Sequence, residues 1–277
     1  MKTLLVLTDF SEAATHAAKY ATIFAKQLMA TRIILFHKLQ KIDAVPNTPL
    51  LVDRAYKSRE ESLQHLKRLV NDLKFLKHTY TELSYLVKEG SLEELTNELI
   101  TKYQVDYVVM GLTGKSKLEQ TLIGSNTIKI AKSITIPLLI VPESSKLVPI
   151  SKIVSLLSLF DLKQAQTIHH LLNPLLHHNN FELFVLHHEN EPHPQNSLHN
   201  HNRTSLREQI APYHPKFFII GEVDIVKEVL DFCSSYQVSL IIHIEKKRNF
   251  FENLFSTDIT EEMAYVSHVP VLLAKQL

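Results

Sequence analysis

Short apolar runs recur along the chain and alternate with helical patterns. Leu4 to Leu7, Ile33 to Phe36, Val105 to Met110 and Pro137 to Val141 have strand length and carry no helical stripe. Strands apolar on both faces are buried on both, so the alternation predicts βαβ units and a parallel sheet covered by helices on each side. The first helix is expected to start at Ser11, a good N-cap, and to turn Ala14, Ala17, Ala18, Ala21 and Phe24 inward. Small residues there let the helix lie close to the sheet. The charged segment from about Asp53 to His78 places Leu63, Leu66, Val70, Leu73 and Leu76 on one stripe and predicts an exposed amphipathic helix. Ser91 with Glu94 forms a capping box ahead of Leu92, Leu95, Leu99, Ile100 and Tyr103, which predicts a third helix.

The second half repeats the first. Tyr103-Gln104-Val105 recurs as Tyr236-Gln237-Val238, and the same offset of 133 carries Ile136-Pro137-Leu138-Leu139 onto Val269-Pro270-Val271-Leu272. Nearer the start the offset is 150, taking Lys2 to Lys152, Phe10 to Phe160 and Leu35-Phe36-His37 to Val185-Leu186-His187. The difference of 17 residues reads as a deletion after the second strand of the second half, where the first half has its charged helix. The expected organisation is a domain over 1–143, a linker through Pro142 to Pro149, and a shortened copy over 150–277.

Composition narrows the class. The 277 residues are 45 % hydrophobic and 21 % charged, as in ordinary globular proteins. A formal charge of +1 supplies no field for a polyanion, so nucleic acid is not an expected partner. No apolar stretch approaches the roughly eighteen residues of a membrane helix. A single cysteine, Cys233, excludes an intramolecular disulfide and suits a reducing compartment, so a cytoplasmic location is expected. His169, His170, His177, His178, His187, His188, His193, His199 and His201 lack the regular ligand spacing of a structural zinc site and read as a solvated, pH-sensitive surface.

Of five glycines, three fall in Gly111-Leu112-Thr113-Gly114, nine residues, then Gly124-Ser125-Asn126, directly after a buried strand and directly before a helix. Glycines bare the backbone amides, and a helix start adds unpaired N–H groups and a favourable dipole, which together suit a phosphate. Asp9, just past the first strand, would share the strand-end crevice of an open parallel sheet and accept hydrogen bonds from ribose or adenine. A plain βα turn before a capped helix is the competing explanation of the same residues.

The Gly-x-x-Gly, nine residues, Gly-Ser pattern resembles the ATP-binding signature of the universal stress protein family. Asp9-Phe10-Ser11, Leu35-Phe36-His37, Val109-Met110-Gly111 and Ile136-Pro137-Leu138-Leu139-Ile140-Val141 extend the resemblance, and the internal repeat carries it over nearly the whole chain. It implies two tandem Rossmann-like domains, each an open five-stranded parallel sheet with helices on both faces, and a stress-response protein that binds ATP, with Mg²⁺ on the phosphates. Carried over, Thr8, Asp9, Lys38 and Met110 would hold the adenosine end, and Gly111, Gly114, Gly124, Ser125 and Asn126 ribose and phosphates. Lys38 stands where the family has an aliphatic residue, and Thr8 where proline or valine is common.

The second half has lost this pattern. Gly111, Gly114 and Gly124 fall on Ile244, Lys247 and Thr257, and Asp9 on Leu159, so this half is expected not to bind ATP in the same way. Its expected task is pairing, through Pro137 to Val141 and Pro270 to Ala274 as an internal pseudo-dimer that hides strand edges, with a homodimer as the further assembly. No catalytic residue is identifiable. The leading expectation is a nucleotide-dependent binding or signalling module; slow ATP hydrolysis and a nucleotide-free interaction protein are the alternatives.

Overall fold

Strand β1 (Thr3–Leu7) is buried along its whole length, as a strand covered by helices on both faces must be. The computed structural model describes residues 1–39, 49–112, 125–157, 161–176, 180–188, 207–221, 225–245 and 268–277, without the side chains of 49–56, 125, 188, 226 and 245. The described residues fall into two compact units, Met1–Thr113 with Ile123–Glu143, and Ser144–Leu277.

In the first unit β1 is followed by α1 (Glu12–Gln27), β2 (Arg32–Leu39), α2 (Pro49–Lys74), β3 (Glu82–Glu89), α3 (Leu92–Tyr103), β4 (Tyr107–Leu112), α4 (Ser125–Ser133) and β5 (Leu138–Pro142). The strands are parallel and ordered β3-β2-β1-β4-β5, a doubly wound sheet. Ser11 caps α1 as anticipated, its Oγ accepting from the Ala14 amide at 3.2 Å. Six of the ten buried residues of α1 are alanine, with Ala17, Ala18 and Ala21 fully buried, so its backbone can lie close on the sheet.

Several boundaries differ from the sequence expectation. β4 continues two residues beyond Met110, so Gly111 and Leu112 lie inside the strand, paired with Val141 and Pro142. The stripe of α2 that meets the sheet is Leu66, Leu69, Val70 and Leu73; Leu76 lies past the helix end and is exposed, because the helix stops at Lys74. At α3 the Ser91 Oγ accepts from the Glu94 amide at 3.4 Å, but the carboxylate it meets is that of Glu93, at 2.9 Å. β3 was not anticipated: Glu82, Lys88 and Glu89 flank a half-exposed segment whose continuous apolar run, Tyr85-Leu86-Val87, is short.

The second unit runs β6 (Lys152–Leu156), α5 (Leu162–Leu176), β7 (Glu182–His188), β8 (Lys216–Ile220), α6 (Ile225–Tyr236), β9 (Leu240–Glu245) and β10 (Val271–Lys275). Its parallel strands are ordered β8-β7-β6-β9-β10, the same winding as in the first unit. Gln104 and Gln237, the middle residues of the repeated Tyr-Gln-Val, both end their helices in left-handed conformation, with φ of 50° and 54°.

Hydrogen bonds correct the offset at the first strand. The Asp106 amide donates to the Thr3 carbonyl, and the Ser239 amide to that of Lys152; Thr8 donates to Phe36, and Leu157 to Leu186. With Asp106 matching Ser239, Lys152 therefore matches Thr3, not Lys2, and Leu157 matches Thr8. By the helix caps the offset has returned to 150: Thr15 donates to the Ser11 carbonyl, and Ala165 to that of Asp161. The connection after β6 is one residue longer than that after β1, so the assignment of Asp9 to Leu159 falls within a loop of unequal length.

Candidate functional site

The carboxyl ends of β1, β2 and β4 open on a crevice of about 180 Å³, walled by the starts of α1, α3 and α4. Parallel winding puts these three strand ends side by side, and the reversal of chain direction about β1 leaves the gap between them. Thr8, Asp9, Lys38, Met110, Gly111 and Asn126 all line it, so the structure brings together six of the nine residues singled out from the sequence. Ser125 begins α4 at its edge, with its side chain outside the described residues. Gly114 and Gly124 also lie outside the described residues.

Asp9 does not project freely. Its Oδ1 accepts from the Ser11 amide at 3.0 Å and from the Ser11 Oγ at 2.6 Å, an Asx turn that leads the chain into α1. The Thr8 Oγ1 accepts from the Phe10 amide at 3.1 Å, and Phe10 takes a φ of 68°, an uncommon conformation for an aromatic residue. This turn fixes the floor of the crevice. His37, which sequence reasoning passed over, buttresses it: its Nδ1–H donates to the Thr8 carbonyl at 2.8 Å, and its ring packs against Phe10 with centroids 4.2 Å apart. Burial lowers the pKa of His37, opposed by the Thr8 carbonyl and the Asp9 carboxylate. The cue available in the sequence was its position at the end of β2.

Gly111 has a packing reason that the sequence did not show. A Cβ there would stand 2.7 Å from the Ala14 amide nitrogen and closer still to the Ala13 carbonyl. The first turn of α1 thus passes directly over β4, and only glycine admits it. A steric requirement thus accounts for a glycine at this position without any ligand. Leu7, Ser11, Ala13, Ala14, Phe36, His37, Leu92, Leu112 and Thr127 complete the lining, which mixes apolar and polar groups in nearly equal number. Among the described residues no three His, Cys, Asp or Glu side chains gather as a metal site, and no helix is long and apolar enough to cross a membrane.

Comparisons with known proteins agree with this architecture. The profile of the universal stress protein family matches residues 1–142. A universal stress protein of Methanocaldococcus jannaschii is 32 % identical over 158 residues, which cover 52 % of this chain and 96 % of that protein. The crystal structure of a universal stress protein from Archaeoglobus fulgidus aligns over 99 % of this chain and 96 % of its own, with a TM-score of 0.67 at 15 % identity, a likeness of fold. A family protein from Arabidopsis thaliana, solved with AMP bound, aligns with 50 % of this chain and 90 % of its own at 15 % identity and a TM-score of 0.35. Because the profile spans just over half of the sequence and the archaeal relative is matched almost end to end, the chain belongs to the universal stress protein family.

Proposed function

We propose that the first unit binds an adenine nucleotide in its strand-end crevice and that the chain serves as a stress-response binding or signalling module whose state follows that nucleotide. ATP is the ligand in this reading, with Mg²⁺ on its phosphates. Its adenosine lies along Thr8, Asp9, Lys38 and Met110, and its phosphates reach the start of α4, where Gly111, Gly114, Gly124, Ser125 and Asn126 supply amides. The observation that carries the reading is the convergence of Thr8, Asp9, Lys38, Met110, Gly111 and Asn126 on one small crevice. The second unit, a shortened copy of the first in a tandem chain, binds no nucleotide in the same way. A cytoplasmic location fits the lone Cys233.

Calorimetric titration of the full chain with ATP, with and without Mg²⁺, tests the proposal. Saturable binding at one site per chain is expected, and Gly124→Val should weaken it by about tenfold or more while leaving thermal unfolding unchanged. No binding by the wild-type chain, or undiminished affinity in the variant, overturns the site.

A further inference from the structure

Phe75 is 92 % exposed, the most open Phe or Tyr side chain among the described residues. The backbone beneath it is pinned. α2 ends at Lys74, and the Leu76 and Lys77 amides both turn back to the Leu73 carbonyl, at 3.0 and 3.1 Å, so a closed turn holds Phe75 outward. Leu76, Met29 and Tyr80 are exposed as well; the Tyr80 hydroxyl donates to the Met29 Sδ at 2.8 Å, and its ring packs on His78 with centroids 4.0 Å apart. Helices that link parallel strands run against them, so the ends of α1 and α2 and the start of β3 share the rim of the sheet opposite the crevice.

The rim is also cationic. From Lys67 to His78 the chain carries Lys67, Arg68, Lys74 and Lys77 against Asp72 alone, and Lys26 closes α1. Lys74 donates to the Asn71 Oδ1 at 2.9 Å and Lys77 to the His78 carbonyl at 3.2 Å, both neutral acceptors. The acids Asp106 and Glu82, at the starts of β4 and β3, are already matched by Lys2 at 2.8 Å and Arg32 at 3.7 Å. Packing does not explain the arrangement: Phe75 buries almost nothing, and a helix end favours cations but not an exposed aromatic ring. An apolar tip among unmatched cations suits the headgroup layer of an anionic bilayer, which takes in a side chain without a shaped pocket. A second copy of the chain suits it less, because a twofold axis would set lysine against lysine. We infer that this rim docks the first unit on an anionic lipid surface, with Phe75 and Leu76 entering the acyl boundary and Lys26, Lys74 and Lys77 meeting lipid phosphates. The crevice, at the other end of the strands, stays open to solution, and the inference does not depend on the nucleotide reading.

Sedimentation of the full chain with phosphatidylcholine vesicles, with and without about one third phosphatidylserine, tests the docking. Binding to the anionic vesicles is expected, with little to the neutral ones, and it should fall as salt is raised. Phe75→Ser, and separately the double variant Lys74→Gln, Lys77→Gln, should each lower the partition coefficient about tenfold. Thermal unfolding should be unchanged, since none of the three side chains is buried. Phe75→Trp creates the only tryptophan of the chain, and its emission should shift to the blue on anionic vesicles. No sedimentation with anionic vesicles, or undiminished partition of Phe75→Ser, would overturn the inference. So would binding to polyglutamate but not to vesicles, which would assign the rim to an acidic polypeptide, or an unshifted tryptophan on a chain that sediments, which would leave charge attraction without insertion.

Discussion

The two units wind their strands in the same order, yet they differ at the β–α junction where Gly111 stands in the first. In the first unit Gly111 lets the opening turn of α1 cross the end of β4 at backbone distance. The matching residue of the second unit is Ile244, 1 % exposed, so the second unit buries a branched side chain where the first has no Cβ. The loop that delivers each helix differs too. Two residues, Asp9 and Phe10, join Thr8 to the Ser11 cap, whereas three separate Leu157 from Asp161. Asp161 then does what Ser11 does, accepting from the Lys163 and Gln164 amides at 3.0 and 3.2 Å, but its Oδ1 also takes the Gln276 side chain at 2.7 Å. The Leu277 amide meets the Thr167 Oγ1 at 3.1 Å, so the end of the sequence is fastened over the start of α5. The same sheet topology thus carries two different helix entries, one with a glycine at the strand end and a two-residue loop, the other with a buried isoleucine and a three-residue loop.

The largest effect should come from undoing the filling of the second unit. Ile244→Ala removes a fully buried side chain between β9 and its covering layer, and loss of transfer energy with an unfilled cavity costs about 2–5 kcal/mol. Chemical denaturation followed by probes in each unit should show the second unit's transition shifted and the first unit's unmoved. A shift shared equally by both would mean that the contrast between the junctions is not local.

Acid should separate the units next. His243, on β9 where the first unit has Met110, is buried, and burial lowers its pKa to about 4. The unfolded chain takes a proton on this residue below its ordinary value near 6.5, while the folded chain refuses it until about pH 4. Its contribution to stability is thus intact above pH 6.5 and lost as pH falls from 6.5 to 4, on the order of 3 kcal/mol in all. His243→Leu should flatten that part of the second unit's stability–pH curve. A curve as steep as wild type would assign the acid sensitivity to another group.

What the sequence made legible follows the strength of local signals. β1, α1 and α3 were readable because long apolar runs and side-chain caps at Ser11 and Ser91 leave few alternatives. β3 and β8 were not, since half-exposed strands ending in charge or lacking clear alternation do not stand out from loops. The register of the repeat was legible at Tyr103-Gln104-Val105 but misleading at Lys2, where matching residue types outvoted the hydrogen bonds that fix strand alignment. Asp9 was readable as a site candidate because parallel strands deliver their ends to one edge of the sheet, whereas Thr8, Lys38 and Met110 were reached only through the family resemblance. His37 and the steric demand on Gly111 depend on contacts between residues far apart in sequence, 29 positions for His37 and Thr8, which no local pattern encodes.

The smallest of these effects divides the two roles that Gly111 can hold. Gly111→Ala adds one methyl group against the backbone of Ala13 and Ala14, which cannot move aside as a flexible side chain would. Overpacking of this kind costs about 1–3 kcal/mol, so the first unit should unfold at lower denaturant while the second does not change. Ile244→Ala installs the same residue at the matching position, where it is too small instead of too large. If the packing account is right, alanine destabilises both sites for opposite reasons. Gly114→Ala, in the same sequence pattern, should spare the first unit's transition and lower nucleotide affinity alone. Should Gly111→Ala also leave unfolding untouched and abolish binding, the glycine would be there for the ligand, and the close passage of α1 over β4 would relax at no cost.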